Sequence, residues 1–263
     1  MRREGEQMTK ATEFRRTKLS RVGGTAVLTL ASDKVNALDS EVLGEVASFV
    51  ELCEQDPEVR ALVLTAEGTV FSAGLNVSEV LDHEKSRTDV LLDALTVALT
   101  RLFGCPKPTV AAINGSAIAG GCILACACDK RFIAEGARIG VTELRVGVSF
   151  PTVAVELLKH TCGAGAEPLM LDAELLDAGE ACRRGLVHQS LPLSDLLPAA
   201  MSAAEQLSSL DASAYALAKA SSRRRALQAI EDDDGRRLDQ QVRDQWQDDR
   251  TRASLDRIRK PKG

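Results

Sequence analysis

Two turns of small residues and one acid carry the chemistry available to this sequence. The turns are F-S-A-G-L-N at Phe71–Asn76 and A-I-A-G-G-C at Ala117–Cys122. Each follows a stretch that reads as a strand, and small side chains let a ligand approach the backbone closely. An apolar helix begins at Gly120-Gly121, so its first N–H groups lack intrahelical partners and lie at its positive end. Two such turns could aim two N–H groups at one developing oxyanion. Glu143 lies downstream in the same run, Ala112–Gly147, and offers a carboxylate for proton abstraction beside a carbonyl.

Competing chemistries find little support. Ser116 sits in G-S-A-I-A-G rather than G-x-S-x-G, which argues against a nucleophilic hydrolase. His83, His160 and His188 show no paired spacing, and no H-x-x-x-H or carboxylate cluster falls on an apolar segment, so no metal is expected. His160 reads as a helix-end residue, His188 as a strand-end residue, and His83 lies near a glycine turn. Nucleotide-type phosphate loops are absent. The seven cysteines (53, 105, 122, 126, 128, 162 and 182) are odd in number with no C-x-x-C, and read as small reduced core residues.

The elements that must hold these groups alternate. Thr25–Leu30, Ala61–Thr65, Thr109–Ile113, Arg131–Ala134 and Val187–Leu191 read as strands. Helices are expected at Asp39–Cys53, with Asp39 as N-cap, and at Thr88–Phe103, Gly121–Cys128, Thr152–Cys162 and Asp177–Arg184. This alternation predicts an α/β architecture with mostly parallel strands. After Leu193 only helices are expected: Asp195–Leu207, Ala212–Ile230 and Asp239–Ile258. Leu238, Val242 and Trp246 give the last one an apolar stripe, which suits packing on its own domain or on another subunit. The acidic run Glu231–Gly235 reads as a solvated connection.

A chain of 263 residues, 44% hydrophobic, can bury a large core. A net charge of −5 disfavours nucleic acid, and no apolar run is long enough to span a membrane. Residues 1–18 mix basic residues with Glu4, Glu6 and Glu13, lack an apolar stretch, and read as a disordered tail rather than a signal. A cytoplasmic location is therefore expected.

These motifs, taken together and in order, resemble the enoyl-CoA hydratase/isomerase (crotonase) superfamily. The matching residues are N-A-L at Asn36–Leu38, F-S-A-G-L-N-V-S-E at Phe71–Glu79, and K-P-T-V-A-A-I-N-G at Lys107–Gly115. A-G-G-C at Ala119–Cys122, C-D-K-R at Cys128–Arg131, E-L-R-V-G at Glu143–Gly147 and D-A-G-E-A-C-R-R-G-L-V at Asp177–Val187 complete the series. The resemblance implies a ββα spiral core at 19–205 and a helical C-terminal trimerisation region at 206–263. It further implies a homotrimer or dimer of trimers, an acyl-CoA thioester substrate, and no cofactor beyond the coenzyme A of the substrate. By the same resemblance, the N–H groups of Ala73 and Gly120 form the oxyanion hole, and Ala73, Gly74, Leu75 and Asn76 line the substrate path. Ser149-Phe150-Pro151 replaces a turn that is often glycine-rich in this family, which implies a reshaped acyl pocket.

One departure decides the expected reaction. Hydratases of this family use two glutamates to add water. Glu143 occupies the place of one, and Ile123 stands at the other. Isoleucine cannot hold or activate water, whereas one carboxylate can take a proton from C2 and return it at C4. A Δ3-Δ2-enoyl-CoA isomerase with Glu143 as its single acid–base group is the leading expectation. A hydratase or other crotonase-type acyl-CoA reaction is the second, and a non-catalytic acyl-CoA-binding protein is a third, from a different class.

Overall fold

The computed structural model describes residues 14–81 and 85–259 and winds them as a two-sheet spiral. In chain order the first half contains β1 (Thr17–Val22), β2 (Thr25–Leu30), α1 (Ser40–Gln55), β3 (Ala61–Ala66), β4 (Val70–Ser72), α2 (Val77–Val80) and α3 (Lys85–Gly104). Then follow β5 (Thr109–Ile113), β6 (Ser116–Ile118), α4 (Gly120–Cys126), β7 (Lys130–Ala134), β8 (Arg138–Gly140), a 3-10 turn (Glu143–Val146), α5 (Thr152–Cys162) and α6 (Ala166–Leu171). The chain continues through β9 (Leu175–Asp177), α7 (Ala178–Arg183), β10 (Gln189–Leu191) and α8 (Leu193–Ser208). It ends in α9 (Ala212–Glu231), α10 (Asp233–Gln247) and α11 (Asp249–Arg259).

The spiral follows from three strand pairs. In β3/β4, β5/β6 and β7/β8 the first strand joins a six-stranded sheet, ordered β1-β2-β3-β5-β7-β10. The second joins a four-stranded sheet, ordered β4-β6-β8-β9. All pairings are parallel except β1 with β2 and β8 with β9. Each step between sheets turns on a glycine. A Cβ on Gly115 would lie 2.1 Å from the Thr69 carbonyl oxygen, so that crossing admits no side chain. Strands β3 and β5 are buried at every position, and α8 lies across β3, β5 and β7. Strands covered on both faces read as continuous apolar runs, which is how both were legible.

Several boundaries differ from expectation. Two residues of the expected 1–18 tail, Thr17 and Lys18, belong to β1, while residues 1–13 lie outside the described residues, as does His83. The Glu45 carboxylate secures this end by accepting from the N–H groups of Arg15 at 2.7 Å and Arg16 at 3.1 Å, and from the Thr17 hydroxyl at 2.7 Å. The expected boundary at 205/206 falls inside α8, so the C-terminal helical segment starts with α9. The acidic run is not a loop. Asp232 alone is extended and caps α10 by accepting from the Gly235 N–H at 2.7 Å, and the following acids form the first turn. The single helix expected at Asp239–Ile258 is two. Asp248 is extended, with φ −62° and ψ 137°, and its carboxylate accepts from the Arg250 N–H, which starts α11. Val242 and Trp246 are buried against the chain's own core, and Leu238 is exposed. Among the described residues no helix is long and apolar enough to cross a membrane.

Candidate active site

The two small-residue turns meet because neither has bulk at the contact. A Cβ on Gly74 would lie 2.9 Å from the Ala119 Cβ, and one on Gly121 would lie 2.5 Å from the Ser72 carbonyl oxygen. Gly74 also has φ +96°, a conformation that side chains disfavour. Ala119 has φ 53° and ψ −126°, and its N–H donates to the Gly140 carbonyl at 2.9 Å. Holding a non-glycine residue there costs on the order of 1–3 kcal/mol. It turns the chain sharply enough for α4 to begin at Gly120 directly beside the first turn.

The free backbone donors are not quite those expected. The Ala73 N–H donates to the Val35 carbonyl at 2.9 Å, so it is engaged within the fold. The residue two further on differs. Leu75 forms an isolated parallel bridge with Leu38, in which Leu38 donates to the Gly74 carbonyl and Asn76 donates to the Leu38 carbonyl, each at 2.9 Å. In a parallel pair the flanking residues make the bonds, and the N–H of the middle one points the other way. Among the described residues the Leu75 N–H has no acceptor, and neither does that of Gly120. They are close: a Cβ built on Gly120 would lie 3.5 Å from the Leu75 nitrogen. The oxyanion donors offered by this geometry are therefore Leu75 and Gly120, correcting Ala73.

These groups open on a cavity of about 260 Å³. Ala73, Leu75, Gly120, Ile123 and Glu143 line it, whereas Gly74 and Asn76 do not. Asn76 instead caps α2, its side-chain oxygen accepting from the Ser78 N–H at 3.0 Å. Glu143 enters on the 3-10 turn that follows β8, and that turn closes at Gly147, with φ +76°. Its Oε2 is buried without a hydrogen-bond partner. Burial pushes the carboxyl from 4.5 up to about 7, and the N–H groups of Glu143 and Thr142 oppose that only partly. Among the described residues that line the cavity, Glu143 is the only ionisable one.

Apart from Thr142, the remaining walls are apolar or already committed. Ile123, at the position where a second acid would be expected in a hydratase, is 2% exposed and packed as hydrocarbon. The Ser149 hydroxyl donates to Gln245 Oε1 at 2.9 Å, and Trp246 Nε1 donates to the Ser149 carbonyl at 2.9 Å. Ser149 and Pro151 line the cavity. Trp246, Leu255 and Ile258, from α10 and α11 of the same chain, close its far side. Sequence reasoning did not assign them to the site, although the Val242/Trp246 stripe marked that helix face.

The other candidates lie elsewhere. His188 Nδ1 accepts from the Arg131 N–H at 3.2 Å, and burial with Arg131 nearby pushes its ring down to about 4. His160 packs edge-on against Phe103, with centroids 5.0 Å apart. All seven cysteines are unbridged, and among the described residues no group of three or more His, Cys, Asp or Glu could hold a metal.

Comparison with known proteins shows the family. The family model described as enoyl-CoA hydratase/isomerase matches residues 21–260. A probable enoyl-CoA hydratase of Mycobacterium tuberculosis is 34% identical over 186 residues, covering 70% of this chain and 72% of that protein. The human mitochondrial enoyl-CoA delta isomerase 1 is 33% identical over 205 residues, covering 76% of this chain and 68% of the relative. Among solved structures, human mitochondrial Δ3-Δ2-enoyl-CoA isomerase superposes with a TM-score of 0.89 at 29% identity, over 95% of this chain and all of that one.

Proposed function

The chain belongs to the enoyl-CoA hydratase/isomerase family, and from that premise we propose that it is a Δ3-Δ2-enoyl-CoA isomerase. The observation that carries this reading is a buried carboxylate, Glu143, whose Oε2 has no hydrogen-bond partner, in a cavity with no second acid among the described residues. Its substrate is a 3-enoyl-CoA thioester, with the acyl chain in the apolar cavity and the thioester oxygen against the Leu75 and Gly120 N–H groups.

Each step balances without an added reactant. The Glu143 carboxylate takes a proton from C2, and the electron pair of that C–H bond moves onto the thioester oxygen to form a dienolate. Leu75 and Gly120 stabilise the oxyanion. The neutral Glu143 carboxyl then gives the same proton to C4. The oxygen returns its electrons, and the double bond rests between C2 and C3. A carboxyl near 7 suits this exchange, because its charged and neutral forms are almost equal in energy at neutral pH.

Hydration makes a different demand. Water must be held and deprotonated on one side while C2 is protonated on the other. Ile123 occupies the place from which a second carboxylate would act, and the Ser149 hydroxyl is engaged by Gln245.

Incubation with 3-enoyl-CoA and 2-enoyl-CoA esters of several lengths, with products identified by mass and retention, tests the reading. Interconversion without a gain of water is expected. A hydrated product would replace the isomerase reading with a hydratase, and binding without turnover or α-proton exchange would leave an acyl-CoA-binding protein. Glu143→Gln is expected to lower turnover by at least about 1,000-fold while CoA-ester affinity measured by calorimetry stays within about threefold. The same reading carries assembly as a homotrimer or dimer of trimers, and a monomeric mass in light scattering would remove that part of it.

A further inference from the structure

The exit of the turn that bears Glu143 is fastened to the C-terminal helices through one side-chain amide. Ser149 donates to Gln245 Oε1 twice, from its N–H at 3.1 Å and from its hydroxyl at 2.9 Å. Gln245 Nε2 donates to the Gly147 carbonyl and, at 2.7 Å, to Thr251 Oγ1. The Thr251 hydroxyl donates to that same Gly147 carbonyl at 3.3 Å. Trp246, the next residue on α10, donates to the Ser149 carbonyl and forms part of the cavity wall.

A primary amide has two donor hydrogens and two acceptor lone pairs. Gln245 makes four bonds, two in each direction. A carboxylate of the same shape has no donor for Gly147, and an apolar side chain of the same length has neither function. We propose that Gln245 is a positioning residue: its amide latches the Glu143 turn to α10 and α11, and so keeps the carboxylate buried and aimed into the apolar cavity. The proposal rests on the reading of Glu143 as the acid–base group. Gln245 acts through Gly147 and Ser149 and does not itself line the cavity.

The surroundings of Glu143 make this latch readable. Among the described residues, no charged side chain from the neighbouring elements lines the cavity beside it: α2 contributes Val80, α3 Leu95, α4 Ile123, α5 Ala154, α10 Trp246 and α11 Leu255. Arg145, on the turn itself, is exposed. Cys122, on α4, is titratable, but a hydrogen bond with Cys126 and burial, with a smaller push from the Glu143 charge, raise it and keep it a neutral thiol. Burial is thus what sets the protonation of Glu143, and a loosened latch exposes the carboxyl to more solvent.

The test is a carbon-13 titration of the Glu143 carboxyl in the full chain, assigned by the signal lost in Glu143→Gln. A midpoint of about 7 is expected for the parent protein. In Gln245→Leu the midpoint is expected to fall by at least about one unit toward the ordinary glutamate range. Isomerisation kcat should fall about 10- to 100-fold, with KM changed less than about threefold. Thr251→Val removes only the bridging hydroxyl, should move the midpoint the same way by less, and serves if Gln245→Leu does not fold. Arg243→Ala breaks the ion pairs of α10 with Asp89 and Asp93 and should lower thermal stability without moving the carboxyl midpoint. A midpoint left in place by both latch variants would overturn the proposal. A midpoint moved by Gln245→Leu, in a parent protein that turns over no enoyl-CoA ester, would uphold the positioning role and sink the isomerase reading instead.

Discussion

A carboxylate that must both take and return a proton works best when its two forms are nearly balanced at the working pH. Glu143 reaches that balance through burial, which pushes it to about 7. Turnover under limiting substrate is therefore expected to rise with pH through about 7 and to level off above it, because only the ionised form can take the C2 proton. A pH–rate profile with its acid limb near the ordinary 4.5 would remove the burial account. The same shift has a cost in stability. With the folded value above the unfolded one, the contribution of Glu143 is fully present below about 4.5 and is lost as pH rises through about 7. Above that, a burden of up to about 3 kcal/mol remains. Glu143→Gln is expected to melt higher than the parent at pH 8, with the gap narrowing as pH is lowered to 6; equal melting at both would contradict it. Glu143 was legible in the sequence as a lone acid after a strand. The choice between the N–H groups of Ala73 and Leu75 was not. It is decided by carbonyls of a distant segment, Val35 and Leu38, which no local pattern around Phe71–Asn76 reveals.

At the scale of elements, the site is built where helix α4 starts against the F-S-A-G-L-N turn. Gly120 is the first residue of α4, a position that tolerates proline because its N–H is not used by the helix. Gly120→Pro should therefore retain the helix while removing one oxyanion donor. A loss of about 100- to 1,000-fold in kcat is expected. An unchanged rate in a folded variant would exclude Gly120 from the site. The longer elements were legible from their periodicity, and Asp39 caps α1 as expected, accepting from the Val42 N–H at 2.8 Å. The four strands of the smaller sheet were not read. Each spans three residues, too few to show alternation, and each follows a glycine or bend that reads as loop. The break at Asp248 was missed for a related reason. One extended residue flanked by good helix formers leaves the surrounding pattern intact, and only its capping carboxylate distinguishes it.

Across the whole molecule, the C-terminal helices are fastened to the spiral by a buried charge cluster. Asp129 accepts from Lys219 Nζ at 2.8 Å and the Tyr215 hydroxyl at 2.9 Å, and pairs with Arg223 at 2.6 Å. Arg223 also stacks 4.2 Å over the Phe103 ring. Burial alone would raise the Asp129 carboxyl, but Lys219 and Arg223 outweigh it and hold it below the usual range. Its contribution to stability is then present at neutral pH and lost on acidification. Asp129→Ala leaves two buried cations unpaired and is expected to cost about 3–5 kcal/mol in denaturant unfolding. A loss under about 1 kcal/mol would show that α9 is held by packing alone. The C-D-K-R motif marked this region in the sequence, but the partners of Asp129 lie some ninety residues away, on a helix whose apolar stripe is weak.

The wall that these helices bring to the cavity has an optical consequence. Trp246 is the only tryptophan in the chain, with its ring on the cavity and its N–H on the Ser149 carbonyl. Indole emission from the entire protein therefore comes from beside this cavity. An acyl chain that displaces water there should shift the emission to shorter wavelength, and a loosened latch should shift it to longer. Without any label, the colour of the protein's own fluorescence gauges whether its cavity is filled, empty or open.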